Sequence, residues 1–505
     1  MLDSVKLFGA HKKKDLKCVI INLNKNTITE VFPMNIISQF HKFLEDSFHY
    51  FLEKYFLESN YWFKSSSIDN YINFMTDLDS FNYSLMTNAI KLYFEYMDEV
   101  FFHTSYRKSF CKSKGFYKRT ILTLFGEITF KRRYYFDKNY NEYFFFTDFF
   151  LNLPKRKYFD PFVCAELCNA SSSTSYAKAG IIVSQKIGKR INNLFKISRA
   201  STRNTVLSFP IDNISNADNE IKRVEKLSIM LDEKFVGSQF NEGKDHMIKA
   251  AVVFEDTELV YKKKLKPDSM NRYRLVNPHT CASIEDSLLI DTLNYIYNNY
   301  DISYLKELDF MGDCAPWIKS FPKTDWFKFH EGINIKFGMD GFHFSQALEN
   351  LTTTQNQDVY DALYEYVLFN NKSDFTRLAN EFLDLNPERK ETIESKRDYI
   401  LNNWNERQIY QNTPYMKCSM ESHISHIFAD LFTSRPKAYS KNGLKQLLKL
   451  RLLKTNGKDI KKQYLNQYRN KEIIINQSNE LYRRSTYQDN YLEKKFRLIY
   501  GKNSI

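Results

Sequence analysis

Three acidic residues of this 505-residue chain end or open apolar elements: Asp232, Asp313 and Glu421. Asp232 follows Leu227-Ser228-Ile229-Met230-Leu231, an apolar run that reads as a strand buried on both faces. Asp313 follows the strand-like run Glu307-Leu308-Asp309-Phe310-Met311-Gly312. Glu421 opens the helical stretch Glu421-Ser422-His423-Ile424-Ser425-His426. Acids at the carboxyl ends of strands sit at a sheet rim, where the sites of open α/β sheets gather. Taken alone, Asp232 reads as a surface acid that starts a loop; the other two acids reverse that reading. Three converging carboxylates form a hard-oxygen site that suits Mg²⁺, with Mn²⁺ as a substitute, and leave positions for water and phosphate. Two such ions about 3.5–4 Å apart clamp the attacking and leaving oxygens of an in-line phosphoryl displacement. Without metal, three close carboxylates repel and at least one is pushed up in pKa.

The elements around these acids have a recognisable order. Residues 227–236, 247–254 and 259–262 read as three consecutive antiparallel strands, with Glu255-Asp256-Thr257 connecting the last two. A helix from Ile284 to Tyr297 leads to a fourth strand, 307–313, and a fifth follows at 333–340. That is the order of a ribonuclease-H-like domain. Helical patterns from Phe344 to Tyr415 read as an insertion between the fifth strand and the Glu421 helix. The pair Asp340-x-x-His343 has two readings. Asp340 caps the next helix with His343 packed beneath, or the pair holds the site or a bound DNA end in place without binding metal.

The fold class expected is therefore α/β: a ribonuclease-H-like catalytic core with an all-helical insertion, preceded by helical and hairpin/helix-turn-helix regions. The expected division is 1–104 mostly helical, 105–213 DNA-binding, 214–440 catalytic with the insertion at about 344–417, and 441–505 a basic tail. Apolar spacing from Asn35 to Leu57 and from Tyr71 to Phe101 predicts two amphipathic helices, read as a bundle or a dimer-forming arm.

Charge points to a polyanionic partner. The net charge is +13, and the stretch from Arg435 to Ile505 holds 18 Lys/Arg against 5 Asp/Glu, so the last seventh carries the whole excess. Arg107, Lys108, Lys118 and Arg119 precede a predicted hairpin, and Lys131, Arg132 and Arg133 end it. Cations flanking aromatic strands suit contact with a nucleic-acid backbone. Ser198 is placed to cap a short helix that offers Arg199, Ser201, Thr202 and Arg203, as a recognition helix does in the major groove. Seven cysteines without a zinc spacing fit reduced thiols, and no run of eighteen apolar residues or signal-peptide core occurs. A cytoplasmic protein with no membrane partner, bound to the nucleoid through DNA, is expected.

Several motifs taken together resemble the ISLre-type bacterial insertion-sequence transposases. They are Thr123-Leu124-Phe125-Gly126-Glu127-Ile128-Thr129-Phe130-Lys131-Arg132-Arg133-Tyr134, Gly312-Asp313-Cys314-Ala315-Pro316-Trp317-Ile318, Asp340-Gly341-Phe342-His343, and Glu421 to His426 with Ser434-Arg435-Pro436. The resemblance covers roughly Arg107 to Gly457. It implies a DDE transposase with two Mg²⁺ ions held by Asp232, Asp313 and Glu421 as catalytic triad. The implied partners are terminal inverted repeats and target DNA, bound by a dimer or larger assembly. Two departures stand out: Glu233-Lys234-Phe235 after the first Asp, and Cys314 where Gly is commoner. Two rival readings remain open: a non-catalytic DNA-binding protein derived from a transposase, and a ribonuclease-H-like nuclease that cuts without joining.

Overall fold

The computed structural model describes residues 34–57, 67–139, 141–151, 153, 156–189, 191, 195–209, 211, 220–239, 245–261, 272–324, 332–353, 356–413, 418–433 and 438–467. It is a mixed α/β protein in two compact units. One comprises residues up to Phe209 together with those from Ile460 onward; the other is Pro210–Asp459.

The first unit begins with helix α1 (Met34–Leu52), which widens into a π turn at Glu53–Leu57, and the long helix α2 (Ser67–His103). A short helix, α3 (Ser105–Phe110), leads into the expected hairpin of β1 (Cys111–Thr123) and β2 (Gly126–Asp137). A third strand, β3 (Glu142–Phe145), extends it, and α4 (Phe146–Phe150) follows. The sheet packs on α2, with Phe94 against Phe130 and Phe101 against Tyr135 and Phe146. Gly126 closes the hairpin at φ 131°, and a Cβ there would meet the Tyr83 ring at 2.4 Å, so this turn needs glycine.

Three helices then pack on one another: α5 (Pro161–Ser171), α6 (Tyr176–Lys186) and α7 (Arg199–Leu207), capped by Asp160, Ser175 and Ser198. A four-residue connection joins α5 to α6, whereas α7 follows a twelve-residue connection. Thr202, expected on the exposed face of α7, is buried with its hydroxyl on the Ser198 carbonyl.

The second unit is organised around β4 (Lys226–Ser238), β5 (His246–Phe254), β8 (His279–Ser283), β9 (Glu307–Gly312) and β10 (Asn334–Met339). Their sheet order is β10-β9-β4-β5-β8, with β4, β9 and β10 parallel, β5 antiparallel to β4 and β8 antiparallel to β5. In chain order that is 5-4-1-2-3. The third antiparallel strand is not the run 259–262. Residues of that run belong to β6 (Asp256–Tyr261), which pairs with β7 (Arg272–Val276) in a separate two-stranded ribbon. Leu259 and Val260 are exposed there, so β propensity alone misplaced them; the sheet position goes to His279-Thr280-Cys281-Ala282-Ser283, buried but poor in β-branched residues.

Between β8 and β9 lies α8 (Leu288–Asn299), as expected, and it covers one sheet face with Leu293 and Ile296. After β9 come α9 (Pro316–Ser320) and then β10. The helical insertion follows as α10 (Gly341–Thr352), α11 (Gln357–Leu368), α12 (Lys372–Leu385), α13 (Lys390–Asn402) and α14 (Trp404–Asn412), around a core of Phe344, Leu348, Leu363, Phe375 and Trp404. Helix α15 (Met420–Ile424) carries Glu421. It continues through a π turn at Ser425–Ala429 into α16 (Asp430–Phe432) and is followed by β11 (Ala438–Tyr439), which pairs with the end of β4. Residues 441–455, counted above with the basic tail, form α17 (Lys441–Thr455), which packs on β8. Its Leu444, Leu447, Leu448 and Leu450 are buried, because a leucine stripe outweighs a charge excess when a helix has a core to cover.

Candidate active site

Asp232 lies in the middle of β4, not at its end. Its place at a rim comes from its neighbour: β4 pairs with β9 only as far as Met230 opposite Met311. Past that point β4 runs on beside β5, with β11 joining only at Gly237 and Ser238, and the carboxylate stands where β9 has turned away. Gly312 allows the turn. A Cβ there would lie 2.8 Å from the Leu231 carbonyl, inside any real contact. Cys314, two residues on, has φ 66°, the left-handed region that glycine tolerates best. Cys314 thus holds the strained turn after Asp313.

The loop is tied down on both sides. The Asp313 carboxylate accepts the Ala315 N–H at 2.8 Å, and the Tyr399 hydroxyl from α13 donates to the Asp313 carbonyl. Glu233, the other departure, takes the indole N–H of Trp317 in a very short contact. It therefore ties β4 to α9 and leaves the site to Asp232.

Helix α15 docks on the same strand, with the Ser419 N–H on Met230 Sδ at 3.2 Å. This brings Glu421 beside Asp232. The third member of the close set is His343: one donor atom each of Asp232, His343 and Glu421 lies within 4.8 Å of the other two. Asp313 stands outside this set but near enough to act on the charges of both Asp232 and His343. The triad expected from sequence is therefore drawn together as two carboxylates and an imidazole, with the third carboxylate adjoining. His343, expected to hold the geometry of the site and not to bind metal, thus stands beside both carboxylates.

The capping reading of Asp340 holds. It caps α10, its Oδ1 accepting the His343 N–H at 2.9 Å, and its Oδ2 meets His343 Nδ1 at 2.7 Å. Burial alone lowers the pKa of an imidazole, but the bond to Asp340 and the nearby Asp232 and Asp313 raise His343 to about 9. Burial pushes Asp232 up to about 7, helped by Asp313 and Glu421 and opposed by the Glu233 N–H and His343. A carboxylate held this high by low dielectric and like charge is what a divalent cation relieves.

Beside these groups a cleft of about 450 Å³ is lined by Asp340, His343, Cys418, Glu421, Ser422 and His426. A larger cavity of about 730 Å³, between β8, α8 and α17, is lined by His279, Tyr295, Lys445 and Asn456. Among the described residues it gathers no comparable donor set.

Among the cations expected to meet DNA, three are taken up internally. Arg119 and Arg132 both pair with Asp148, and Arg133 pairs with Asp98 at 2.9 Å and Glu99 at 2.6 Å. All three side chains are nearly buried; Arg132 and Arg133 are adjacent on β2 and point to opposite faces, and each meets carboxylates of a different helix, Asp148 on α4 for the one and Asp98 and Glu99 on α2 for the other. Arg107 is half-buried and donates to the Phe102 carbonyl. Lys108, Lys118, Lys131, Arg199 and Arg203 are exposed, and Lys118 faces Lys131 across the hairpin. Lys112 and Lys114, in the same basic block of the sequence, are also exposed on β1. Arg435 lies outside the described residues.

Comparison with known proteins gives the family. This chain belongs to the uncharacterised protein family UPF0236. The match covers residues 78–469, which takes in the hairpin, the three helices, the sheet and the insertion. Two UPF0236 proteins of Caldanaerobacter subterraneus subsp. tengcongensis are each 26% identical over 380 residues, covering 74% of this chain and 75% and 76% of theirs. The name of the first joins eleven locus designations of that genome, and that of another relative, also 26% identical, joins four. Among the described residues no helix is long and apolar enough to cross a membrane.

Proposed function

We propose that this UPF0236 protein is a DDE transposase of the ISLre type. It hydrolyses a phosphodiester at the ends of an insertion sequence and joins the freed 3′ hydroxyl to target DNA. The observation that carries the reading is Asp232 on the central strand of a 5-4-1-2-3 sheet, within 4.8 Å of Glu421 on a helix reached across a helical insertion. That order supports a ribonuclease-H-like core, in which acids from the first strand, the fourth strand and a later helix serve one phosphoryl centre. The eleven locus designations of one relative add independent support, because repeated copies of a gene in one genome are what transposition leaves behind.

Asp232 and Glu421, with Asp313 adjoining, would hold Mg²⁺ or Mn²⁺, and the raised pKa of Asp232 fits a group designed to face a cation. When bound, divalent ions supply Lewis acidity at the attacking and leaving oxygens. The chain's own part is positional. The Ala315 N–H and Tyr399 fix Asp313, Met230 seats the Glu421 helix, and Asp340 orients His343. No covalent enzyme intermediate is needed. DNA is the partner, held by Lys108, Lys118, Lys131, Arg199 and Arg203 in the first unit, and joining two element ends calls for a dimer or larger assembly.

The test uses purified full-length protein and a supercoiled plasmid carrying the gene with its native flanking DNA. Nicking that needs Mg²⁺ or Mn²⁺ and falls at least ~10²-fold in Asp232→Asn and in Asp313→Asn is expected, with joined products when target plasmid is added. Nicking without joining selects the nuclease reading. DNA binding without cleavage under either metal selects the non-catalytic one.

A further inference from the structure

We propose that His343 is itself a metal ligand, through Nε2, and that it makes the site a mixed oxygen–nitrogen one selective for Mn²⁺ over Mg²⁺. This rests on the metal-dependent reading above and goes beyond its three carboxylates. The placement carries it: His343 offers a ring nitrogen within 4.8 Å of donor oxygens of both Asp232 and Glu421, whereas Asp313 does not join that set.

The tautomer follows from Asp340. Its Oδ2 lies 2.7 Å from His343 Nδ1, so Nδ1 is the nitrogen that donates, and the lone pair of the metal-binding form is on Nε2. A carboxylate behind a histidine also fixes the ring plane and raises the basicity of the far nitrogen. Asp340 is well placed for this, being 3% exposed, capped onto α10 and joined through its own N–H to the Gly312 carbonyl at 3.1 Å. The strand end that presents Asp313 and the histidine that faces Asp232 are thereby fixed to one another. Imidazole binds transition ions well and Mg²⁺ poorly, so two carboxylates with one imidazole favour Mn²⁺. In the metal-free protein the same ring serves as a cation among acids. The question is whether it turns from counter-charge to ligand when metal arrives.

Pulsed EPR of Mn²⁺ bound to the full-length protein answers this. A nitrogen modulation from a directly coordinated imidazole is expected in the wild type, and it shifts when histidine is ¹⁵N-labelled. In His343→Ala the modulation disappears and Mn²⁺ affinity falls ~10–100-fold, while Mg²⁺ affinity, read by competition, changes less than ~3-fold. Asp340→Asn keeps the modulation and weakens Mn²⁺ by about tenfold. Bound Mn²⁺ without nitrogen coupling in the wild type overturns the proposal, and that spectrum depends on no variant folding. If such nitrogen-free binding is still lost in Asp232→Asn and Glu421→Gln, the carboxylate site stands and only the histidine ligand falls. Mn²⁺ binding indifferent to Asp232 and Glu421, or absent, removes the metal-dependent reading itself.

Discussion

Cys314 shows how a single residue carries the geometry of the site. Its φ of 66° costs a side chain on the order of 1 kcal/mol, yet its thiol is buried among Met339, Phe344 and Leu348. Cys314→Gly relieves the strain and loses the contact, so its stability should fall within about 1 kcal/mol of wild type in urea unfolding. Cys314→Val adds a β-branched carbon at a positive φ and should lower stability by about 2 kcal/mol or more. Equal stability of the two variants would mean the turn is not the constraint. Asp160 offers a second test at this scale. Burial raises its carboxyl to about 6 even as it caps α5 through the Val163 N–H at 2.7 Å. Below about pH 4 it is protonated folded and unfolded alike. From there to pH 6 the unfolded chain ionises first, so stability falls, and above pH 6 it stays lower. Asp160→Asn keeps the capping acceptor and removes that fall. It should gain about 1–2 kcal/mol at pH 7.5 and nothing at pH 4 in paired thermal melts.

At the scale of elements, the Glu421 helix depends on a contact far along the chain. The π turn at Ser425–Ala429 widens the helix just after Glu421, and such turns recur at functional sites. Arg451 on α17 clamps that segment, donating to the Ile427 carbonyl at 2.8 Å and the His426 carbonyl at 2.7 Å. Arg451→Ala should cost about 1–3 kcal/mol and increase hydrogen exchange in residues 420–432, and Arg451→Lys should restore little of either. Unchanged exchange there would show that the turn holds itself. Gly312→Ala belongs with this pair. Its Cβ would press on the Leu231 carbonyl, so the end of β9 must shift, and metal-dependent cleavage should drop more than stability does.

At the scale of the molecule, the cations divide into two kinds. Replacing Lys118 or Arg203 with Gln should leave the melting temperature in place and reduce the salt dependence of DNA affinity by about one unit of log K per log salt each. Replacing Arg133 should instead destabilise the first unit, because Asp98 and Glu99 would lose their partner inside it. A fall in affinity without loss of stability in Arg133→Gln would return that residue to the DNA-binding surface. Much of this unit was legible in the chain. The hairpin followed from two β-type runs about Gly126, and the cap at Ser198 from residue type alone. The inward turn of Arg119, Arg132 and Arg133 was not legible, since their partners Asp98, Glu99 and Asp148 sit on other elements.

The sequence by itself singled out Asp232, Asp313 and Glu421 as the candidate site. Apolar runs ending in Asp232 and Asp313, and a helix opening at Glu421, are local patterns, because burial on both faces demands unbroken apolar side chains and a rim acid breaks them. The helical insertion was equally readable from its 3.6-residue period. Only the tertiary structure decided which of these groups meet. Asp232 is mid-strand and becomes a rim residue because β9 ends beside it, a fact of pairing register that no local pattern records. The third strand of the sheet is residues 279–283, chosen by burial over propensity. His343 stands where three carboxylates were expected to meet alone, since the cap at Asp340 turns its ring toward Asp232 and Glu421. Spacing along a chain sets residue types at element ends; the angle at which those ends approach is set by packing.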